Sequence, residues 1–462
     1  MKRTGKMAFA AALLLGQASF ADVTLVDKDD WKVSMYGFIE TDVIHDSTRS
    51  FSEVIGNAPV QPAGTVTGDN AWTQYSNRNT RLGFKIQAPE ENGWRTKGLL
   101  EMDFLGFDPG VSTNPISGTT TNDTTVPNSE SSFYQNPTPR IRHAWGALES
   151  DNWKFLFGQT WSTFGWQADY VPTSVSVAPL PGNLYQRTAQ IQALNTIKWS
   201  NSNFQWLMAL ERPSQRDSQT PNFNLAVKYA IDSWKAGFAT YYGEEKAVPA
   251  SLALSSTFKQ FQAFNPANGT TGYSKVNSSA FAADILFPII PASDGDTSNA
   301  LTFSAEYSSG TGYGDALPSW TGGFKQLPQG TTSAMLANTN LDAGQAYFDN
   351  NGNFGLLQLQ TYLVSLQYHF PKSWGAFLVA GYSQLQSTTI NSNISATSGG
   401  TPLNSFGNLY NTESNYYLSY FQNLSKQLRL GLEWDHTTTQ YVNTNLGSPS
   451  NDRIQFSTWI TI

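Results

Sequence analysis

In the stretch Gln427-Leu-Arg-Leu-Gly-Leu-Glu-Trp-Asp435, Leu428, Leu430, Leu432 and Trp434 fall on one parity, and Arg429, Gly431, Glu433 and Asp435 fall on the other. A repeat of two marks an extended strand, whose successive side chains point to opposite faces. One face here is wholly apolar and the other carries charge. Residues 222–232 repeat the pattern, with Phe223, Leu225, Val227, Tyr229 and Ile231 opposing Asn224, Lys228 and Asp232. So do residues 453–462, where Ile454, Phe456, Ile460 and Ile462 oppose Arg453, Gln455 and Thr461. Runs of about ten residues of this kind suit strands that cross a bilayer, apolar toward lipid and polar toward an aqueous interior.

Working outward, such runs begin near Lys32, Asn79, Trp94, Thr138, Trp153, Ala189, Asn203, Asn222, Trp234, Asn277, Asn299, Leu356, Trp374, Thr412, Gln427 and Asn451. That predicts about sixteen strands, an even number as single-chain bacterial barrels require. Long and short connections alternate between them. Residues 45–78, 106–137, 160–188, 243–275, 308–355, 385–411 and 437–450 are long; 89–93, 150–152, 200–203, 232–233, 371–373 and 423–426 are short. A membrane separates loops in this way, with long ones outside and tight turns in the periplasm. Both termini then lie on the short-turn side. Trp94, Trp153, Trp234 and Trp374 each follow a short turn, which predicts an aromatic girdle at that interface. The expected fold is all-β: a 16-stranded antiparallel transmembrane barrel with short periplasmic turns and long extracellular loops.

Composition agrees. The 462 residues are 14% charged and 13% aromatic, so they are too aromatic for a disordered chain. There is no Cys, which excludes a disulfide scaffold and a thiolate metal site. A net charge of −7 argues against a nucleic-acid partner. At the N-terminus Lys2, Arg3 and Lys6 precede an apolar run, and Ser19 and Ala21 occupy the small-residue positions of a cleavage site. Residues 1–21 therefore read as a signal peptide, 22–31 as a short periplasmic segment and 32–462 as the barrel. The expected place is the outer membrane, among its lipid and lipopolysaccharide.

Three segments carry a resemblance. They are Tyr36-Gly-Phe-Ile-Glu-Thr-Asp42; Asn79-Thr-Arg-Leu-Gly-Phe-Lys85 with Gly98-Leu-Leu-Glu-Met-Asp-Phe104; and Arg140-Ile-Arg-His-Ala-Trp-Gly146 with Phe157-Gly-Gln-Thr-Trp-Ser-Thr-Phe164 and Arg187-Thr-Ala-Gln-Ile-Gln192. In that order they resemble the DcaP-type trimeric outer-membrane porins over roughly residues 32–192. The resemblance implies a sixteen-stranded homotrimer, a third loop folded inward, and passage of small hydrophilic solutes, often anionic. Two departures stand out. Residues 22–31 are too few for the periplasmic helical segment that relatives can carry, and the chain ends in Ile462 where such barrels usually end in Phe.

Parity supplies the pore candidates. If apolar positions face lipid, Glu40, Asp42, Arg81, Lys85, Glu101, Asp103, Arg140 and Arg142 face the interior. Lys198, Glu211, Lys228, Glu306, Arg429 and Glu433 continue the pattern. An Arg or Lys on the lipid face would cost about 2–4 kcal/mol at midplane. A basic group (Arg81, Lys85, Arg140, Arg142) beside an acidic group (Glu40, Asp42, Glu101, Asp103) would set a transverse field that selects ions by sign. Ile141 and Trp145 take the lipid parity. His143 shares it, an exception that suggests a subunit interface. Loop 160–188 holds Asp169 as its only acid and Arg187 at its base, and is otherwise apolar and aromatic, which favours folding into the bore.

Enzymatic readings find little support. The four His form no i, i+4 pair, and no nucleophile elbow or P-loop is present. No cofactor or metal is expected. His45-Asp46-Ser47 resembles the active-site segment of outer-membrane phospholipases, but Thr48-Arg49 replaces the Asn-Gly that follows there. A soluble exported adhesin is the remaining alternative, and the segregation of loop lengths speaks against it.

Overall fold

A computed structural model describes residues 22–56, 58–106, 138–170, 172–213, 218–265, 268, 272–317, 320, 345–348, 353–390, 397–398, 401–402 and 410–462. The signal-peptide reading and the loop at 107–137 lie outside the described residues.

The alternating runs become one antiparallel sheet that closes on itself. Its strands in chain order are β1 (Val23–Lys28), β2 (Trp31–Asp46), β3 (Trp72–Ser76), β4 (Arg81–Glu91), β5 (Trp94–Gly106), β6 (Thr138–Glu149), β7 (Trp153–Trp161), β8 (Arg187–Lys198), β9 (Ser202–Glu211), β10 (Asn222–Phe238), β11 (Lys246–Phe264), β12 (Tyr273–Ile290) and β13 (Leu301–Thr311). After two outlying short strands, β14 (Ala346–Phe348) and β15 (Phe354–Leu356), come β16 (Gln358–His369) and β17 (Ala376–Ser387). A second outlying pair, β18 (Thr397–Ser398) and β19 (Thr401–Pro402), precedes β20 (Tyr410–Asn423), β21 (Leu428–Tyr441) and β22 (Ser450–Thr461). Closure comes from β2, which pairs with β22 from Phe38–Thr461 to Asp46–Arg453. Its other edge pairs with β4 and then β3, which are one wall member interrupted at 77–80. Counted this way the wall has sixteen members, as the sequence predicts. The short strand β1 pairs with β2 at Trp31–Met35, just beyond the last rung of β22.

The distribution of side chains is inverted relative to a soluble protein. Ile141, Phe157, Ile191, Leu252, Leu432 and Ile454 are half exposed on the outside, while Glu40, Arg81, Glu101, Arg142, Glu306 and Glu433 are buried within. Burial along β21 alternates residue by residue from Arg429 to Tyr441. Among the described residues no helix is long and apolar enough to cross a membrane. The strands do the crossing. On the short-turn side, Trp94 meets Phe155 at 6.0 Å, and Trp153 meets Phe155 at 5.6 Å and Trp206 at 5.3 Å. These rings form the expected girdle.

One strand is misplaced by the sequence reading. Asp232-Ser233 is not a turn, and Trp234 does not begin a ninth strand. The eighth wall member, β10, runs on to Phe238, and the ninth is β11, inside the segment expected to be a long loop at 243–275. Residues 232–234 are instead an irregularity: pairing steps from Ile231–Ala250 to Lys235–Pro249. Extra residues on one strand bend it and raise its twist. The β10–β11 connection that follows, residues 239–245, turns into the bore.

Candidate functional site

The strands β4, β5 and β6 bring five of the predicted residues together on one stretch of inner wall. Arg140 makes a bidentate contact with Asp103, at 2.9 Å and 2.6 Å. Arg142 bridges two acids, Glu101 at 2.7 Å and Asp103 at 3.0 Å. The Nε of Arg81 lies 3.7 Å from Glu101. Tyr36 donates its hydroxyl to the same carboxylate at 2.7 Å. Glu101 and Asp103 are thus salt-bridged to Arg81, Arg140 and Arg142 on the same wall. The Arg187 guanidinium joins from the start of β8, 4.8 Å from the Trp161 ring and 5.4 Å from the Tyr185 ring. Its Nη1 is buried and has no hydrogen-bond partner among the described residues. Four guanidiniums therefore face two carboxylates.

A bulge explains how so much charge is packed there. Glu101 pairs with His143 and Met102 with Ile141, so Arg142 is an extra residue in β6. Such a bulge re-aims side chains. Arg142 and His143 both turn inward and are buried. His143 is therefore not a subunit-interface residue: its Nδ1 meets the Thr160 hydroxyl at 3.0 Å. Trp145 is also shifted off the lipid parity and lies beneath Lys154, whose Nζ is 5.0 Å from its ring. Alternation read from sequence cannot detect an inserted residue.

The remaining candidates lie elsewhere. Lys85 bonds both oxygens of Asp22 at 2.9 Å and sits 4.5 Å from the Tyr36 ring, near the β1 hairpin. Glu40 accepts from Asn79 at 2.8 Å, and Asp42 accepts from Gln455 at 3.1 Å. Both are buried, and among the described residues neither makes an ion pair. Asp169, in the helical turn α1 (Gln167–Tyr170), is bonded to Lys228.

The loop between β7 and β8 lies inside the bore, held by acids of the wall. Glu211 accepts from the Thr163 amide at 3.0 Å. Glu433 accepts from the Ser174 hydroxyl at 2.8 Å and from the Val175 and Ser176 amides at 2.6 Å and 2.9 Å. Asp435 takes the Ser176 hydroxyl at 2.7 Å, and Glu306 takes the Leu184 amide at 3.0 Å. Carboxylates so used satisfy loop backbone that would otherwise be buried unpaired. Much of the interior acid is therefore committed to the loop, a role that parity alone does not reveal.

A cavity of about 740 Å³ remains beside the loop, bounded by Arg81, Arg142, Trp161, Tyr185 and Lys228. Its walls carry Arg81, Arg142, Lys154, Lys198, Lys228 and Lys246 against Glu101, Asp169, Asp232 and Glu244, an excess of two positive charges. Lys154, Lys246, Trp161 and Tyr185 are absent from the sequence-predicted set. Burial pushes the Tyr185 phenol up, but the guanidiniums of Arg142, Arg187, Arg81 and Arg140 outweigh it and bring it down to about 7. Above that pH the tyrosinate cancels one excess positive charge. Anion preference in this cavity is therefore expected to fall between about pH 6 and about pH 8. Reversal potentials measured across that range check it, and Tyr185→Phe is expected to flatten the dependence.

A family model described as Gram-negative porin matches residues 8–441. Among solved structures, the outer membrane channel DcaP of Acinetobacter baumannii is similar, with a TM-score of 0.56 and 15% identity over 95% of this chain and 100% of that one. The anion-selective porin from Comamonas acidovorans gives a TM-score of 0.49 and 10% identity over 94% and 100%. At 15% identity the likeness to the DcaP channel is one of fold. No curated protein sequence matches. Because the family match runs through strands and loops alike along nearly the whole barrel, the chain belongs to the Gram-negative porins and is a channel of the outer membrane.

Proposed function

We propose that the channel passes small hydrophilic solutes by passive diffusion and favours small anions such as carboxylates. Arg81, Arg140, Arg142 and Arg187 form the basic side of its constriction, and the loop carrying Asp169 narrows the bore opposite them. The observation that carries this reading is the imbalance of four guanidiniums against Glu101 and Asp103 beside an open cavity. Fixed charge in a narrow, low-dielectric passage selects by sign. Glu40 and Asp42 belong to the inner wall but not to this basic stretch, and Lys85 belongs to its periplasmic rim. The protein acts as a channel, not an enzyme, and works as a homotrimer embedded in outer-membrane lipid and lipopolysaccharide.

Liposome swelling tests the solute preference. Proteoliposomes are expected to admit a small carboxylate faster than a cationic amine of the same size. Equal rates would remove the anion clause, and no swelling with any solute would remove the channel. Mild-detergent gels of the unheated protein check the trimer, which is expected to collapse to one heat-modifiable monomer band on boiling.

A further inference from the structure

The β10–β11 hairpin belongs to wall members eight and nine, yet its tip touches members one, two, fifteen and sixteen. In a barrel of sixteen those lie on the opposite side. The tip must therefore cross the bore. Its path is pinned along the way. The Ala292 amide donates to the Lys235 carbonyl at 2.8 Å, and the Thr302 hydroxyl to the Gly237 carbonyl at 2.7 Å. Ala239 exchanges two bonds with the Gln367 side chain, each 3.0 Å. Glu245 meets His369 at 2.7 Å. On the far side Arg429 donates to the Thr240 carbonyl at 2.7 Å, and the Tyr241 ring lies 5.8 Å from Trp459. The irregularity at 232–234 bends the hairpin inward.

Its two tyrosines reach the basic wall. The Nη2 of Arg81 donates to the Tyr241 hydroxyl at 2.8 Å. The Arg81 guanidinium carbon is 4.9 Å from the Tyr242 ring and 5.1 Å from Phe38, whose ring is itself 4.8 Å from Tyr242. Aromatic faces on a guanidinium hold it by cation–π attraction. The segment also meets the inward loop: the Thr173 hydroxyl donates to the Ala239 carbonyl at 2.5 Å. Tyr241 and Tyr242 both bound the cavity beside Arg142.

We propose that this hairpin tip is a second constriction element, closing the bore from the periplasmic side, with Tyr241 and Tyr242 as its specificity-determining residues. The inference rests on the channel reading above. The extracellular loop narrows the passage from one end and the hairpin from the other. The tyrosines fix Arg81 and cover one of its faces, so they set which part of the basic wall a solute can touch. A two-residue turn such as Asn92-Gly93 suffices to join two strands, whereas here seven residues and two rings are placed across the bore.

The test compares full-length channels in planar bilayers. Tyr241→Ala with Tyr242→Ala is expected to raise unit conductance about twofold and to move the reversal potential toward zero, because the passage widens and Arg81 loses its hold. The chain has no Cys, so Tyr242→Cys offers a single labelling site. A negatively charged methanethiosulfonate is expected to cut its current by about half and leave wild type unaffected. The labelling result decides if the alanine variant gives no heat-modifiable barrel. Conducting Tyr242→Cys channels that ignore the reagent would overturn the proposal while the channel reading stands. Absence of channel steps from wild type would overturn that reading instead.

Discussion

A channel carrying Arg81→Ser together with Arg142→Ser is expected to lose its anion preference. Among the described residues Arg142 is the only side chain bonded to both Glu101 and Asp103, and Arg81 is a second base beside Glu101. Removing both leaves Arg140 and Arg187 against the two carboxylates. Asp103 keeps Arg140, but among the described residues Glu101 keeps only the Tyr36 hydroxyl and His143 at 3.8 Å. With the fixed charges balanced, the reversal potential under a salt gradient should fall close to zero. Breaking a buried pair costs about 3–5 kcal/mol, so the gel shift on boiling must be checked alongside. Lys85→Gln serves as the control. That lysine is spent on Asp22 and its loss should leave selectivity as in wild type. An unchanged reversal potential in the double variant would place the selectivity site elsewhere.

Loss of one carboxylate should loosen the inward loop. Glu433→Ala removes the acceptor for Ser174, Val175 and Ser176, and for Ser419 on the neighbouring strand. Hydrogen bonds to a charged group contribute about 1.5–3 kcal/mol each, though not additively. Two of these donors are backbone amides buried in the bore, which then lack a partner. The expected channel is wider and noisier, with raised unit conductance and a lower melting temperature. Glu433→Gln keeps the volume but turns one acceptor into a donor, so it should fall between wild type and alanine. Equal conductance in all three would show that the loop is held without Glu433.

The fold was legible because a barrel wall repeats with period two and a membrane sorts its loops by length. The strand count came out right while one strand was placed wrongly. Asp232-Ser233 has turn composition, and the Ala250-Ser-Leu-Ala-Leu-Ser-Ser stretch of β11 is rich in small residues, so it read as loop. Parity found the charged interior of β4, β5 and β21. It failed at Arg142, where a bulge places two successive residues inside, and so His143 and Trp145 were assigned to the wrong side. Nor does parity say what a lumen charge binds. Glu101 and Asp103 are neutralised by the arginines beside them, and Glu211, Glu306 and Glu433 hold backbone of the inward loop. These are long-range contacts, and nothing local in the sequence encodes them. The same holds for Tyr241 and Tyr242, whose partners lie half a barrel away.

The reading of this channel turns on a water-filled bore with a net basic constriction. Planar-bilayer recording of the purified wild-type protein under a potassium chloride gradient tests it most directly. Discrete conductance steps are expected, with a reversal potential of the sign that chloride preference gives. Steps with a potassium-selective reversal potential would contradict the basic constriction, and a bilayer without steps would contradict the channel itself.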